Sequence, residues 1–101
     1  MAVGRDALKV NTTGAYNVAI GAIALDANTT ADYNVAVGYG ALGANTTGDL
    51  NVAMGTGALG SNSLGDRNCA FGHNALTNFA PTSKADTYNA CLLYTSDAAD
   101  E

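Results

Sequence analysis

The chain has no tryptophan, one proline, one histidine and two cysteines, and only 4 of its 101 residues are lysine or arginine. Each scarcity closes a route. Four basic residues against nine acidic ones give a net charge of −5. Nucleic acid is excluded as a partner, because phosphate contacts need clustered lysine and arginine. The lone histidine, His73, has no second imidazole to share a metal, and the carboxylates are scattered along the chain. The sequence therefore predicts no catalytic residue, no metal site and no cofactor. Two cysteines cannot make a disulfide framework. No run of about 18 apolar residues occurs, so no membrane helix is expected in this segment. No charged stretch followed by an apolar one opens the chain, so no signal peptide is read there.

What is abundant is narrow: 20 Ala, 12 Gly, 11 Asn and 11 Thr. The reason is a repeat. Asn17-Val18-Ala19-Ile20-Gly21 recurs from Asn34, from Asn51 and, as Asn68-Cys69-Ala70-Phe71-Gly72, from Asn68, at a spacing of 17 residues. Ala-Leu follows in each unit, ending at Leu8, Leu25, Leu42, Leu59 and Leu76. Asn-Thr-Thr then recurs at Asn11, Asn28 and Asn45 and drifts to Asn62-Ser63-Leu64. The consensus is N-V-A-V-G-x-x-A-L-x-x-N-T-T-G-D-Y. Units begin near residues 1, 17, 34, 51 and 68. The step from Asn68 to Asn89 is 21 residues, which places a four-residue insertion near 79–84.

Each unit reads as strand and turns. Val-Ala-Val alternates with period two, so its large side chains share one side. Gly follows, suited to a sharp bend at positive φ. Ala-Leu is read as a second short extended piece, and Asn-Thr-Thr-Gly-Asp as a turn. Short strands at a fixed period predict an all-β, parallel β-solenoid of about five 17-residue rungs. Stacking at the strand spacing of about 4.8 Å turns each position into a column. Three columns are expected to point inward as the core: Val18, Val35, Val52 and Cys69; Ile20, Val37, Met54 and Phe71; and Leu8, Leu25, Leu42, Leu59 and Leu76. Asn17, Asn34, Asn51, Asn68 and Asn89 are expected to form an amide ladder that satisfies turn backbone. A thin rung offsets little of the entropy of ordering its own residues. Stability is expected from stacking many rungs and from packing several chains together.

Other positions read as turn or surface. Asp32, Asp49 and Asp66 share one slot, read as ordinary turn chemistry in preference to a cation ladder. Paired Thr columns at Thr12-Thr13, Thr29-Thr30 and Thr46-Thr47 are read as turn residues in preference to an ice-binding array. Asn11, Asn28 and Asn45 match the N-glycosylation pattern only because the repeat generates it. The variable slot after each Gly offers surface contacts, with Arg5, Asp6, Tyr39, Thr56, His73 and Asn74 the candidates.

The unit from Asn34 to Asp49 resembles the head and stalk repeats of trimeric autotransporter adhesins and related phage tail-fibre-like surface proteins. The likeness covers residues 1–90 and rests on the Asn, Ala, Gly, Ala-Leu and Asn-Thr-Thr positions. It implies a left-handed, trimeric β-roll displayed on a cell surface or a virion, non-catalytic, with a host-surface receptor or glycan as partner. The adhesin head unit is usually shorter than this one. The alternative is a monomeric β-solenoid binding ice or carbohydrate. A polysaccharide-cleaving β-helix would need longer coils and clustered Asp, Arg or Lys. Residues 91–101, from Cys91 to Glu101, resemble a translated sequencing adapter, so the chain is expected to be an open fragment of a longer array with a non-native tail. Without Asp97, Asp100 and Glu101, 4 basic and 6 acidic residues leave a net charge of −2.

Overall fold

The computed structural model describes residues 1–83 and 89–92. Among these the chain is all-β, with six short strands: β1 (Ala2–Val3), β2 (Val18–Ile20), β3 (Val35–Val37), β4 (Val52–Met54), β5 (Cys69–Phe71) and β6 (Ala90–Leu92). They form one parallel sheet in the order β1-β2-β3-β4-β5-β6. Sequence order equals sheet order, so each connection is one turn of a β-solenoid of about five turns. The register is the repeat itself: Val18 pairs with Val35, Val35 with Val52 and Val52 with Cys69. Cys69 pairs with Ala90, so the insertion leaves the ladder in phase.

The expected second strand at Ala-Leu does not form. That wall of the coil is a stack of consecutive turns. Within a rung, Ala24 N–H donates to the Gly21 carbonyl at 3.2 Å and Asn28 N–H to the Leu25 carbonyl at 3.1 Å. Between rungs, Leu25 N–H donates to the Ala41 carbonyl and Leu42 N–H to the Ala58 carbonyl, both at 3.0 Å. A coil of 17 residues must reverse direction soon after a three-residue strand, and turns do this where a second strand would overshoot. Each Leu of this column has a positive φ, from 50 to 53°. A side chain in the left-handed region costs on the order of 1–2 kcal/mol. Here it aims the Leu at the interior.

The core corrects the expected side-chain sides. Ala19, Ala36, Ala53 and Ala70 are fully buried, as are Ala24, Ala41, Ala58 and Ala75 and, from the Leu column, Leu25, Leu42 and Leu59. Leu8 and Leu76 are half-buried against this cluster. The Val and Ile columns face out. Val18 and Val35 are half-buried, while Val52 and Cys69 are exposed. Ile20, Val37 and Met54 are half-buried, and Phe71 is 49% exposed. Alternation put both large columns on one side, but the side is the outer one. The space between sheet and turn wall admits a methyl from the strand, because Leu from the opposite wall already fills it.

Glycine closes each strand for a geometric reason. Gly21, Gly38, Gly55 and Gly72 have φ between 131 and 134°. A Cβ on Gly38 would lie 2.6 Å from the Gly55 carbonyl carbon. Neither backbone can yield, since both belong to the ladder. Gly38→Ala is therefore expected to cost about 2–4 kcal/mol. Thermal denaturation checks this, and an unchanged midpoint would refute the tight glycine column.

β6 takes Cys91 into the slot of Ala70 and Leu92 into that of Phe71. A small thiol in the Ala slot and an aliphatic in the next extend the strand pattern two residues past Ala90. Residues 93–101 lie outside the described residues, as do 84–88, the first of which is the last of the insertion near 79–84.

Candidate functional site

The repeat places the candidate contact residues on one corner, just after each strand. Ile23 N–H donates to the Arg5 carbonyl (2.9 Å), Gly57 N–H to the Tyr39 carbonyl (2.8 Å) and Asn74 N–H to the Thr56 carbonyl (2.8 Å). These bonds stack Arg5, Ala22, Tyr39, Thr56 and His73 as one column. Arg5, Thr56 and His73 are exposed, and Tyr39 is 56% exposed. Asp6 and Asn74 sit in the neighbouring column at φ 63 and 57°. An ion pair at this corner, Lys9 Nζ to Asp6 Oδ1 at 3.9 Å, lies at the surface and contributes little. The column carries a guanidinium, a phenol, a hydroxyl and an imidazole, with Ala22 between the first two. Tyr39, Thr56 and His73 stand on successive rungs, and Arg5 lies two rungs before Tyr39. Among the described residues, no group of three or more His, Cys, Asp or Glu could hold a metal ion.

The Asp column is structural. Asp32 Oδ1 accepts from Ala15 N–H at 2.7 Å, Asp49 Oδ1 from Asp32 N–H at 2.8 Å, and Asp66 Oδ1 from Asp49 N–H at 2.8 Å. Each carboxylate thus ties its rung to the one before it. Charge-assisted bonds to backbone N–H are among the stronger hydrogen bonds in proteins.

The first Thr column is also committed. Thr12, Thr29 and Thr46 hydroxyls donate to the carbonyls of Thr29, Thr46 and Ser63 in the next rung, at 2.9, 3.4 and 3.2 Å. Thr13 and Thr30 of the second column are exposed.

Two asparagine ladders run through the interior, where sequence reading foresaw one. In the foreseen ladder, Asn34, Asn51 and Asn68 N–H each donate to Oδ1 of the Asn one rung earlier, all at 2.9 Å. Asn89 continues it to Asn68 at 3.2 Å. The second comes from the Asn-Thr-Thr turns. Asn28 Nδ2 donates to Asn11 Oδ1 (2.8 Å) and Asn45 Nδ2 to Asn28 Oδ1 (3.1 Å). The ladders meet on shared carbonyls: Asn34 and Asn45 both donate to the Gly48 carbonyl at 2.9 Å. Among the described residues no buried side-chain nitrogen or oxygen lacks a partner. Asn28 and Asn45 are fully buried, so the folded coil withholds these two glycosylation sequons.

Cys69, expected as a buried small hydrophobe, is exposed on the outer sheet face, and Cys91 is half-buried. Sequence reading also passed over Tyr16 and Tyr33, which stack with centroids 4.8 Å apart and ring planes 12° from parallel. The signal was present in the last letter of the consensus, one rung apart.

The outer sheet face is an uncharged surface. Val18, Val35, Val52 and Cys69 run beside Ile20, Val37, Met54 and Phe71, with no charged residue in either column. Comparison with protein-family models, with curated proteins and with solved structures returned no significant match.

Proposed function

We propose that the chain is a structural and adhesive segment of a trimeric surface fibre, a bacterial adhesin or a phage tail fibre, displayed outside the cell or on a virion. It acts without catalysis, by holding identical surfaces in a rigid array. The observation that carries this reading is the uncharged outer face. The strands turn their two larger columns outward and keep only alanine inside. A contiguous apolar face of this kind, half-buried to exposed, marks an interaction surface. Two further copies of the same coil would cover that face, supplying the burial that the alanine interior does not. The left-handed sense of the coil belongs to the same reading, by resemblance.

Hydrogen-bonded rungs make the rod stiff. Three chains would present every exposed residue three times, so a weak contact with a host receptor or glycan is multiplied by avidity. The column of Arg5, Tyr39, Thr56 and His73, with Asp6 and Asn74 beside it, is the surface assigned to such contacts. A monomeric solenoid binding ice or carbohydrate is less well supported, because the Thr12, Thr29 and Thr46 hydroxyls are already spent on backbone.

Sedimentation over a concentration series tests this. The Cys91→Ala chain leaves Cys69 as the sole thiol and restores the Ala of the repeat at that slot. The expected result is a trimer in which Cys69 reacts slowly with a thiol reagent, becoming reactive on dilution to monomer. A stable monomer with freely reacting Cys69 throughout would overturn the proposal.

A further inference from the structure

Tyr16, Tyr33, Leu50 and Arg67 occupy one column, two residues before each strand's first residue. The residue between, Asn17, Asn34, Asn51 or Asn68, is buried. The column is thus the next outward position beside Val18, Val35, Val52 and Cys69. Tyr16 is 74% exposed, Tyr33 53% and Leu50 42%. All four residues have φ between 58 and 61°. That region favours glycine, and bulky residues held there tend to mark functional positions. The Leu column adopts similar φ values but gains core burial for it. The Tyr column gains no such burial within one chain.

We infer that the Tyr16–Tyr33–Leu50 column is part of the seam between chains, covered by a second copy of this chain, and that the strained backbone is retained for that contact. The inference rests on the trimeric reading above. Two features select a second copy over a sugar. The rings stack on each other, so each gives up to the other one of the two faces on which a sugar would stack. The column repeats once per rung, a period that another solenoid of this unit matches along its whole length. Area argues the same way. A stable interface buries about 800 Å² per partner. Two four-residue columns are narrow for that, and the two tyrosines add on the order of 250 Å² at about 200 Å² per ring. Arg67 ends the stripe with a charge.

The test is the Tyr16→Gly/Tyr33→Gly double variant, studied by sedimentation and, under dilute conditions, by thermal melting of the monomer. Glycine suits both backbone positions, so the monomer's melting temperature should hold or rise. The trimer's association constant should fall at least 100-fold. A variant that associates like the parent overturns the seam while leaving the trimer intact. A variant whose monomer melts lower overturns it too, since the tyrosines would then serve the single chain. A parent chain that stays monomeric removes the trimer and this seam together.

Discussion

Ala36→Leu is expected to cost at least about 3 kcal/mol and Val35→Thr less than about 1 kcal/mol, although the two sites are adjacent in β3. A reading of hydrophobicity alone gives the reverse order. Ala36 is fully buried, paired with Ala19 and Ala53 in the rungs on either side. The turn wall beyond it carries Ala41 and Leu42, also fully buried. Three added carbons at Ala36 have no space unless the strand separates from that wall. Such a shift would stretch the turn-wall bonds, including Leu42 N–H to the Ala58 carbonyl at 3.0 Å. Val35 is half-buried on the outside, and threonine keeps its branching. Urea denaturation of the two variants, at a dilution where the chain is monomeric, checks the order. Equal losses, or a larger loss at Val35, would mean that the inward and outward faces are wrongly assigned.

Asn51→Ala is expected to cost about 3–5 kcal/mol, more than an average polar deletion. Asn51 Oδ1 accepts from Asn68 N–H at 2.9 Å and from Asn68 Nδ2 at 3.1 Å, while its own Nδ2 donates to the Gly65 carbonyl at 2.8 Å. Truncation removes all three bonds at a fully buried position. The Gly65 carbonyl keeps Asn62 Nδ2 at 3.1 Å, so its loss is partial. Asn68 N–H loses the acceptor it has in the ladder, and an unpaired buried donor carries most of the penalty. Asn51→Asp retains an acceptor oxygen for Asn68 N–H but sets a carboxylate against the Gly65 carbonyl. It should therefore be no more stable than the alanine variant at neutral pH. Denaturant melts of both variants read this directly. A loss below about 1 kcal/mol for Asn51→Ala would show that water replaces the amide and that the ladder is not a sealed core.

These effects share a cause. The interior is two side chains thick, methyl against isobutyl, with amide columns at its edge. Such a core has little apolar volume, so hydrogen bonds between identical positions do much of what packing does elsewhere. That is why Asn, Asp and Thr recur as strictly as Val and Leu. Each rung repeats the same bonds, and a defect in one weakens its contacts with the rungs on both sides.

The repeat was enough to determine the register, the number of rungs, the glycine bends and one amide ladder, because a fixed period forces like residues into columns wherever strands stack. The Asp slot reads as local turn chemistry, whereas its carboxylates accept from backbone N–H groups of the preceding rung. Tertiary structure alone decided which side of the strand is inside. Alternation says that Val18 and Ile20 share a side, and nothing local says which. The depth of the cavity decides it, and that depth follows from Leu25 and its column reaching in from the turn wall. The second amide ladder and the Tyr16–Tyr33 stack were likewise hidden, since both depend on how turns face across rungs. Sequence periodicity carries the order along the coil axis. The cross-section of the coil depends on how far two walls stand apart, and only the folded chain sets that distance.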